Sequence, residues 1–153
     1  APKHVQQLVE EGHLRWDSLG EFCALGESLN FVAESNGNSK AGVLGKAVDA
    51  ATQLLLANDK SPSRRVGQTD TRDSHYYFAF YWAQALAVQT EDQDLANYFA
   101  ELAVALADNE KTITAELAST QGKPCDLGGY YHPASDKVAL VMRPSATLNS
   151  IIG

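Results

Sequence analysis

Residues 74–89 constrain the fold of this chain more than any other stretch. Tyr76, Tyr77, Phe78, Phe80, Tyr81 and Trp82 place six aromatic side chains in seven positions, and Ala83, Ala85 and Leu86 continue the apolar run. The stretch reads as a helix that is apolar on nearly every side. Such a helix has no face to offer water, so it belongs in the centre of a larger body. Core packing accounts for the aromatic cluster better than a cofactor-binding box does, because each ring carries a large apolar area.

The rest of the chain supplies helices of the kind that surround such a centre. Residues 3–11 read as the end of an amphipathic helix, with Val5 and Leu8 three apart and Gly12 as its break. A second helix starts at Asp17 or Ser18. Ser18 and Glu21 have capping-box spacing, in which each side chain satisfies an orphan N–H. Leu19, Phe22, Cys23, Leu25, Leu29 and Val32 recur along this helix, and Asn36-Gly37-Asn38 turns the chain. A third helix covers 40–57, with Leu44, Ala47, Val48, Ala51, Leu54 and Leu55 on its buried face. Gly42 and Gly45 lower its propensity by about 1 kcal/mol each relative to Ala, a cost that close approach of another backbone would justify.

After the aromatic helix, a fifth begins at a Thr90–Gln93 capping box. It follows Leu95, Phe99, Leu102, Leu106, Ile113 and Leu117 to residue 120 and stops at Gln121-Gly122-Lys123-Pro124. The tail is irregular. Gly128-Gly129-Tyr130-Tyr131 marks a turn, 137–142 is either a short strand or a helical turn, and 144–152 is a last short helix. The expected fold is all-α, a single helical domain over 1–153. About five main helices form an irregular bundle, with a loop-rich C-terminal arm.

Composition removes whole classes of protein. A chain of 153 residues can bury a core without metal or disulfide staples. Its 44% hydrophobic and 20% charged residues are those of an ordinary globular domain. No apolar run approaches the roughly 18 residues of a membrane-spanning helix, so no membrane partner is expected. A net charge of −7 repels phosphate backbones, so no nucleic-acid partner is expected either. Cys23 and Cys125 lack CxxC spacing and read as reduced thiols of a cytoplasmic protein. Met142 is the sole methionine and the chain opens on Ala1, which reads as a fragment or a product with a trimmed start.

The motifs of zinc proteases, nucleophile-elbow hydrolases, P-loops and dinucleotide-binding folds are absent. His4, His13, His75 and His132 share no ligand spacing, which argues against a metal site. Two places could hold an anion. The loop 58–72 carries Lys60, Arg64, Arg65 and Arg72, four of the 12 basic residues, and it is longer than most connections. A guanidinium fork suits phosphate, although a solvated basic loop paired with nearby carboxylates accounts for the loop more simply. Arg15 and Ser18 flank a helix N-terminus, where free N–H groups favour an anion. Simple capping, with Trp16 in the core, explains that stretch as well. Glu10/Glu11 and Glu91/Asp92 read as solvated helix-end charges.

Six separated stretches together resemble one family. They are His13-Leu14-Arg15-Trp16-Asp17-Ser18-Leu19-Gly20-Glu21-Phe22, Lys60-Ser61-Pro62-Ser63-Arg64, and Ser74-His75-Tyr76-Tyr77 leading to Tyr81-Trp82-Ala83-Gln84-Ala85-Leu86. Gln121-Gly122-Lys123-Pro124, Gly128-Gly129-Tyr130-Tyr131 and Met142-Arg143-Pro144-Ser145-Ala146-Thr147 complete the set. In this order they are similar to the C-terminal end of the monomeric NADP-dependent isocitrate dehydrogenases, whose members are several times longer. The resemblance implies a segment of the smaller, mostly helical domain, beside a large α/β domain. It also implies that the apolar helix at 74–89 is covered by neighbours outside this chain.

The resemblance further implies NADP contacts. The family's 2′-phosphate-binding positions fall on His4, Arg15 and Arg64, and a position near the adenosine end falls on Asp17. Two guanidinium groups and an imidazole can neutralise a dianionic phosphate, which selects NADP over NAD. Arg65 and Arg72 stay unassigned. The family oxidises isocitrate to 2-oxoglutarate with Mg²⁺ or Mn²⁺, and its metal-binding, acid–base and substrate-binding groups lie upstream of the matched segment. No catalytic or metal residue is therefore expected here. The expected partner is the remainder of the parent enzyme or a self-associating copy. The alternative is a stand-alone, non-catalytic helical module that binds or oligomerises through an exposed aromatic face.

Overall fold

The aromatic stretch forms the axis of the molecule. A computed structural model describes residues 2–153. It contains α1 (Pro2–Glu11), α2 (Leu19–Asn36), α3 (Ser39–Ala57), α4 (Thr71–Val88), α5 (Gln93–Asp108), α6 (Glu110–Ala118), α7 (Ser135–Met142) and α8 (Ala146–Ile152). The all-α class stands, with no strand among the described residues. The helix count exceeds the expected five for two reasons. The 93–120 stretch divides at Asn109, and the arm folds α7 and α8.

Helix α4 packs between α3 and α5. Tyr76, Tyr77, Phe78, Phe80, Tyr81, Ala83 and Leu86 are each at most 8% exposed. Phe78 stacks on Phe22 of α2, with centroids 3.9 Å apart. The polar tips of Tyr76, Tyr77 and Trp82 are satisfied, which is what makes their burial tolerable. Tyr76 donates to the Leu106 carbonyl at 2.7 Å and Tyr77 to Glu110 Oε1 at 2.9 Å. Trp82 Nε1 donates to the Leu44 carbonyl at 3.2 Å. Burial and the neighbouring Glu110 hold the Tyr76 and Tyr77 hydroxyls well above their ordinary pKa. These contacts correct one expectation. The chain covers its own aromatic helix and needs no outside neighbours to do so, and this helix presents no exposed aromatic face for a second copy.

The α2–α3 hairpin turns at Gly37, whose φ of 63° lies in the left-handed region. The helices then close on small residues. A Cβ on Gly45 would fall 2.3 Å from Asn30 Oδ1, and one on Gly26 would fall 2.7 Å from Asp49 Oδ1. The apolar stripe of α2 is narrower than expected. Phe22 and Gly26 are buried, while Cys23 and Leu25 face water. On α3, Leu54 is likewise exposed.

Aspartates, not the expected hydroxyls, cap two helices. Ser18 makes no capping bond to α2, and Asp17 Oδ1 instead accepts from the Leu19 N–H at 3.0 Å. Glu21 is taken by the Trp16 indole N–H at 3.1 Å. At α5 the cap is Asp92, which accepts from the Leu95 N–H at 2.9 Å, so the Thr90–Gln93 box does not form. A carboxylate both accepts the bond and complements the helix dipole, and so displaces a nearby hydroxyl from the role. The arm is tied to α6 through Glu116, which accepts from Ser145 Oγ at 2.5 Å, Thr147 Oγ1 at 2.9 Å and Thr147 N–H at 3.2 Å. These bonds hold the Glu116 carboxyl below the usual range.

Candidate functional site

Three segments outside the helices meet on one side of the bundle: 12–17, 58–70 and 120–125. Gly12 ends α1 with φ +62°, and a Cβ there would lie 2.4 Å from the Thr120 carbonyl oxygen and 2.7 Å from that of Lys123. Only glycine allows the chain to pass so close under 120–123. The contact is reinforced by Gly122 N–H to the Glu11 carbonyl at 2.7 Å and Cys125 N–H to that of Val9 at 2.9 Å.

From Gly12 onward, successive residues grip different partners. His13, fully buried, points Nδ1 at Gln121 Oε1 (2.7 Å) and Nε2 at the Ser63 carbonyl (2.8 Å). Leu14 uses its backbone: its N–H donates to Asp70 Oδ2 at 3.3 Å and its carbonyl accepts from the Thr71 N–H at 2.9 Å. Arg15 donates from Nε to the Arg64 carbonyl at 2.7 Å and from a terminal nitrogen to Glu11 Oε2 at 2.6 Å.

Beneath this lies a buried ion pair. Arg72 donates to both oxygens of Asp70, the shortest contact being 2.5 Å. Its terminal nitrogens also reach the carbonyls of Gly12 (2.7 Å) and Val141 (2.8 Å). Asp70 in turn caps α4, in a reciprocal box with Asp73. Arg72 is thereby spent on holding the segments together and presents no free donor face. Burial pushes the Asp73 carboxyl up to about 6; the Asp70 charge adds to this, while the Asp70 N–H and the Arg72 charge oppose it.

The expected site residues are placed as follows. Arg15 and Arg64, 49 positions apart, are brought into direct contact. Arg64 is exposed on its loop, and its guanidinium has no hydrogen-bond or ionic partner among the described residues. His4 is half-buried on α1, its ring edge-on to Trp16 at 5.4 Å, and its Nδ1 is buried without a partner. Asp17 is turned toward the start of α2, where it accepts from Leu19. That carboxylate already occupies the helix N-terminus and would repel a second anion there. Trp16, expected in the core, is 39% exposed. Sequence reasoning missed His13, Gln121 and Glu11 as parts of this junction. The i, i+4 spacing of Glu11 and Arg15 was the one local signal for their pairing.

Arg15 and Arg64 keep guanidinium N–H groups without a partner among the described residues, and the His4 Nδ1 is buried without one. No group of three or more His, Cys, Asp or Glu side chains among the described residues could hold a metal ion. No helix among the described residues is long and apolar enough to cross a membrane.

Fold and junction together define an all-helical segment that carries a cationic polar corner beside a closed aromatic core. A family model for monomeric isocitrate dehydrogenase matches residues 1–153. The chain is 57% identical over 152 residues to NADP isocitrate dehydrogenase 2 of Mycobacterium tuberculosis, covering 99% of this chain and 20% of that relative. It is 56% identical to the NADP isocitrate dehydrogenases of Azotobacter vinelandii and Corynebacterium efficiens, again over 99% of this chain, and over 20% and 21% of those relatives. The chain belongs to the monomeric isocitrate dehydrogenase family and spans about one-fifth of the length of these relatives.

Proposed function

We propose that this chain is the C-terminal part of an NADP-dependent isocitrate dehydrogenase, folding as one helical domain and supplying the grip on the 2′-phosphate of NADP. The observation that carries this reading is the bond from Arg15 Nε to the Arg64 backbone carbonyl at 2.7 Å, which joins the segments bearing the two arginines although they are far apart in sequence. A phosphate there gains charge-assisted bonds from both guanidinium groups. His4 adds a donor from α1, and Asp17 orients the turn into α2. NADP, when bound, accepts hydride from isocitrate, whose decarboxylation uses Mg²⁺ or Mn²⁺ and groups outside this segment. The whole enzyme works in the cytoplasm. The chain alone performs no turnover.

The test is steady-state kinetics of the full-length enzyme. Arg15→Ala and Arg64→Ala should each raise KM for NADP at least tenfold, as expected for loss of a charged hydrogen bond, with KM for isocitrate nearly unchanged. Preference for NADP over NAD should fall in parallel. An unaltered NADP constant in both variants would remove the phosphate grip.

One observation supports a second reading, that of a stand-alone, non-catalytic module. The aromatic core is closed by helices of this chain alone. If the 153-residue chain is the natural product, it should fold cooperatively and bind NADP weakly or not at all. Intact mass of the natural product separates the two readings.

A further inference from the structure

The geometry points to His13 and Gln121 as positioning residues that set the loop carrying Arg64. This inference rests on the reading above, in which Arg64 grips the phosphate. Arg64 sits on an exposed loop, where a long side chain on a mobile backbone would bind an anion poorly. Precision in such a site comes from what holds the backbone.

The loop is held at both ends of a small ring. Ser63 N–H donates to the Thr69 carbonyl at 2.7 Å, and Ser63 Oγ lies 2.5 Å from Gln68 Oε1. His13 and Gln121 fix this ring to the rest of the junction. Gln121 Oε1 accepts from the Gly67 N–H at 2.7 Å, and its Nε2 donates to the Gln68 carbonyl at 2.9 Å. Those two bonds define which end of the amide is oxygen, so His13 Nδ1 must donate to Gln121. The other ring nitrogen faces the Ser63 carbonyl, which only accepts. His13 and Gln121 thus reach the backbone at Ser63, Gly67 and Gln68, on both sides of Arg64.

The neighbouring contact makes this a device for the site. Arg15, two residues after His13, bonds the Arg64 carbonyl next to the Ser63 carbonyl that His13 holds. One tripeptide therefore grips two consecutive carbonyls and registers both arginines against each other. Losing the His13–Gln121 clasp leaves each guanidinium present but no longer held in register. A displacement of about 1 Å at a charged site costs tenfold or more.

The experiment uses the full-length enzyme. Gln121→Met keeps the side chain's length and removes all three bonds at a half-buried position. It should raise KM for NADP about tenfold, leave kcat and KM for isocitrate within about twofold, and speed amide exchange at Gly67. His13→Gln, which keeps a donor toward the Ser63 carbonyl, should fall between wild type and His13→Ala. The double variant should be no worse than the worse single one, since both act through one clasp. If Gln121→Met leaves the NADP constant unchanged while Arg64→Ala raises it, the clasp is overturned and the phosphate grip survives. If kcat and both KM values move together, the residues are merely structural and the inference falls. If Arg64→Ala itself has no effect, the grip is lost, and the clasp's role with it.

Discussion

The aromatic core around α4 and the polar junction of 12–17, 58–70 and 120–125 hold the same chain together by opposite means. The core is made of many similar contacts, none strongly directional. Phe22, Val48, Leu55, Leu106, Ile113 and Leu117 surround the α4 rings, and any one of them shares its work with several neighbours. The junction is made of few contacts, each with a fixed geometry: a buried Asp70–Arg72 pair, a glycine under two carbonyls, and a histidine between two acceptors. Cores tolerate conservative change because volume and pattern suffice. A polar junction does not, because removing one partner strands the other in a dry place. The two candidate arginines, Arg15 and Arg64, sit on the less forgiving region.

The sharpest break of this contrast comes at Arg72. Arg72→Ala leaves the Asp70 carboxylate buried and uncompensated, and removes the bonds to Gly12 and Val141. The expected loss is about 3–5 kcal/mol, read by urea denaturation of this chain. Arg72→Lys should recover little, because an ammonium cannot reproduce the fork. Ile113→Val in the core, equally conservative on paper, should cost only about 1 kcal/mol. Comparable losses for Arg72→Lys and Ile113→Val would erase the distinction between the two regions.

Next in size is Gly12→Ala. The new methyl would meet backbone oxygens at Thr120 and Lys123, which have no side-chain freedom to yield, at a φ that also disfavours alanine. A loss of about 3 kcal/mol is expected. The same change at Gly20, where nothing stands within 4 Å of the added atom and the residue is helical, should be neutral or stabilising. Thermal unfolding of the two variants side by side decides the matter.

This division also explains what could be read from the sequence. The periodic elements were legible: α3 and α4 fall close to where spacing puts them, and α8 lies within the expected 144–152. The break at Asn109 was not, because Leu106 and Ile113 are two turns apart and keep the apolar phase through it. Caps were misread wherever an aspartate stood beside a hydroxyl, since spacing alone cannot say which oxygen reaches the N–H. The Asp70–Asp73 box went unseen because it lies in a loop read as polar to residue 72. At the candidate site, residue chemistry offered Arg15 and the loop of Arg64 as separate anion candidates, and their joint assignment, with His4 and Asp17, came through resemblance. His13 and Gln121 are 108 positions apart, and no local pattern links them. Arg72 resembled the other basic residues of its loop, and only its burial separates it from Arg64.

A smaller effect is expected from Asp73. Its carboxyl is raised from 3.8 to about 6, chiefly by burial. The folded state therefore holds this proton more tightly than the unfolded chain does. Its contribution is favourable below about pH 4, declines as pH rises toward 6, and is fully lost above that. Asp73→Asn keeps an oxygen for the Asp70 N–H and carries no charge. Wild type and variant should be close in stability near pH 4, with the variant ahead by about 2 kcal/mol at pH 8. Parallel stability curves across that range would show that burial of Asp73 costs nothing.

The smallest effect concerns the tuning of the candidate site by Glu11. This carboxylate, 40% exposed, holds one end of the Arg15 guanidinium at 2.6 Å. A phosphate arriving at Arg15 must share that cation or displace the carboxylate. Exposed pairs of this kind are worth about 0–1 kcal/mol. Glu11→Gln in the full-length enzyme should therefore lower KM for NADP by about two- to threefold, with isocitrate kinetics unchanged. Salt weakens the phosphate grip and the competing pair together, so the advantage of the variant should shrink as ionic strength rises. A raised NADP constant would mean that Glu11 orients Arg15 rather than competes for it, and would place the carboxylate with the clasp, among the directional contacts that tolerate no substitute.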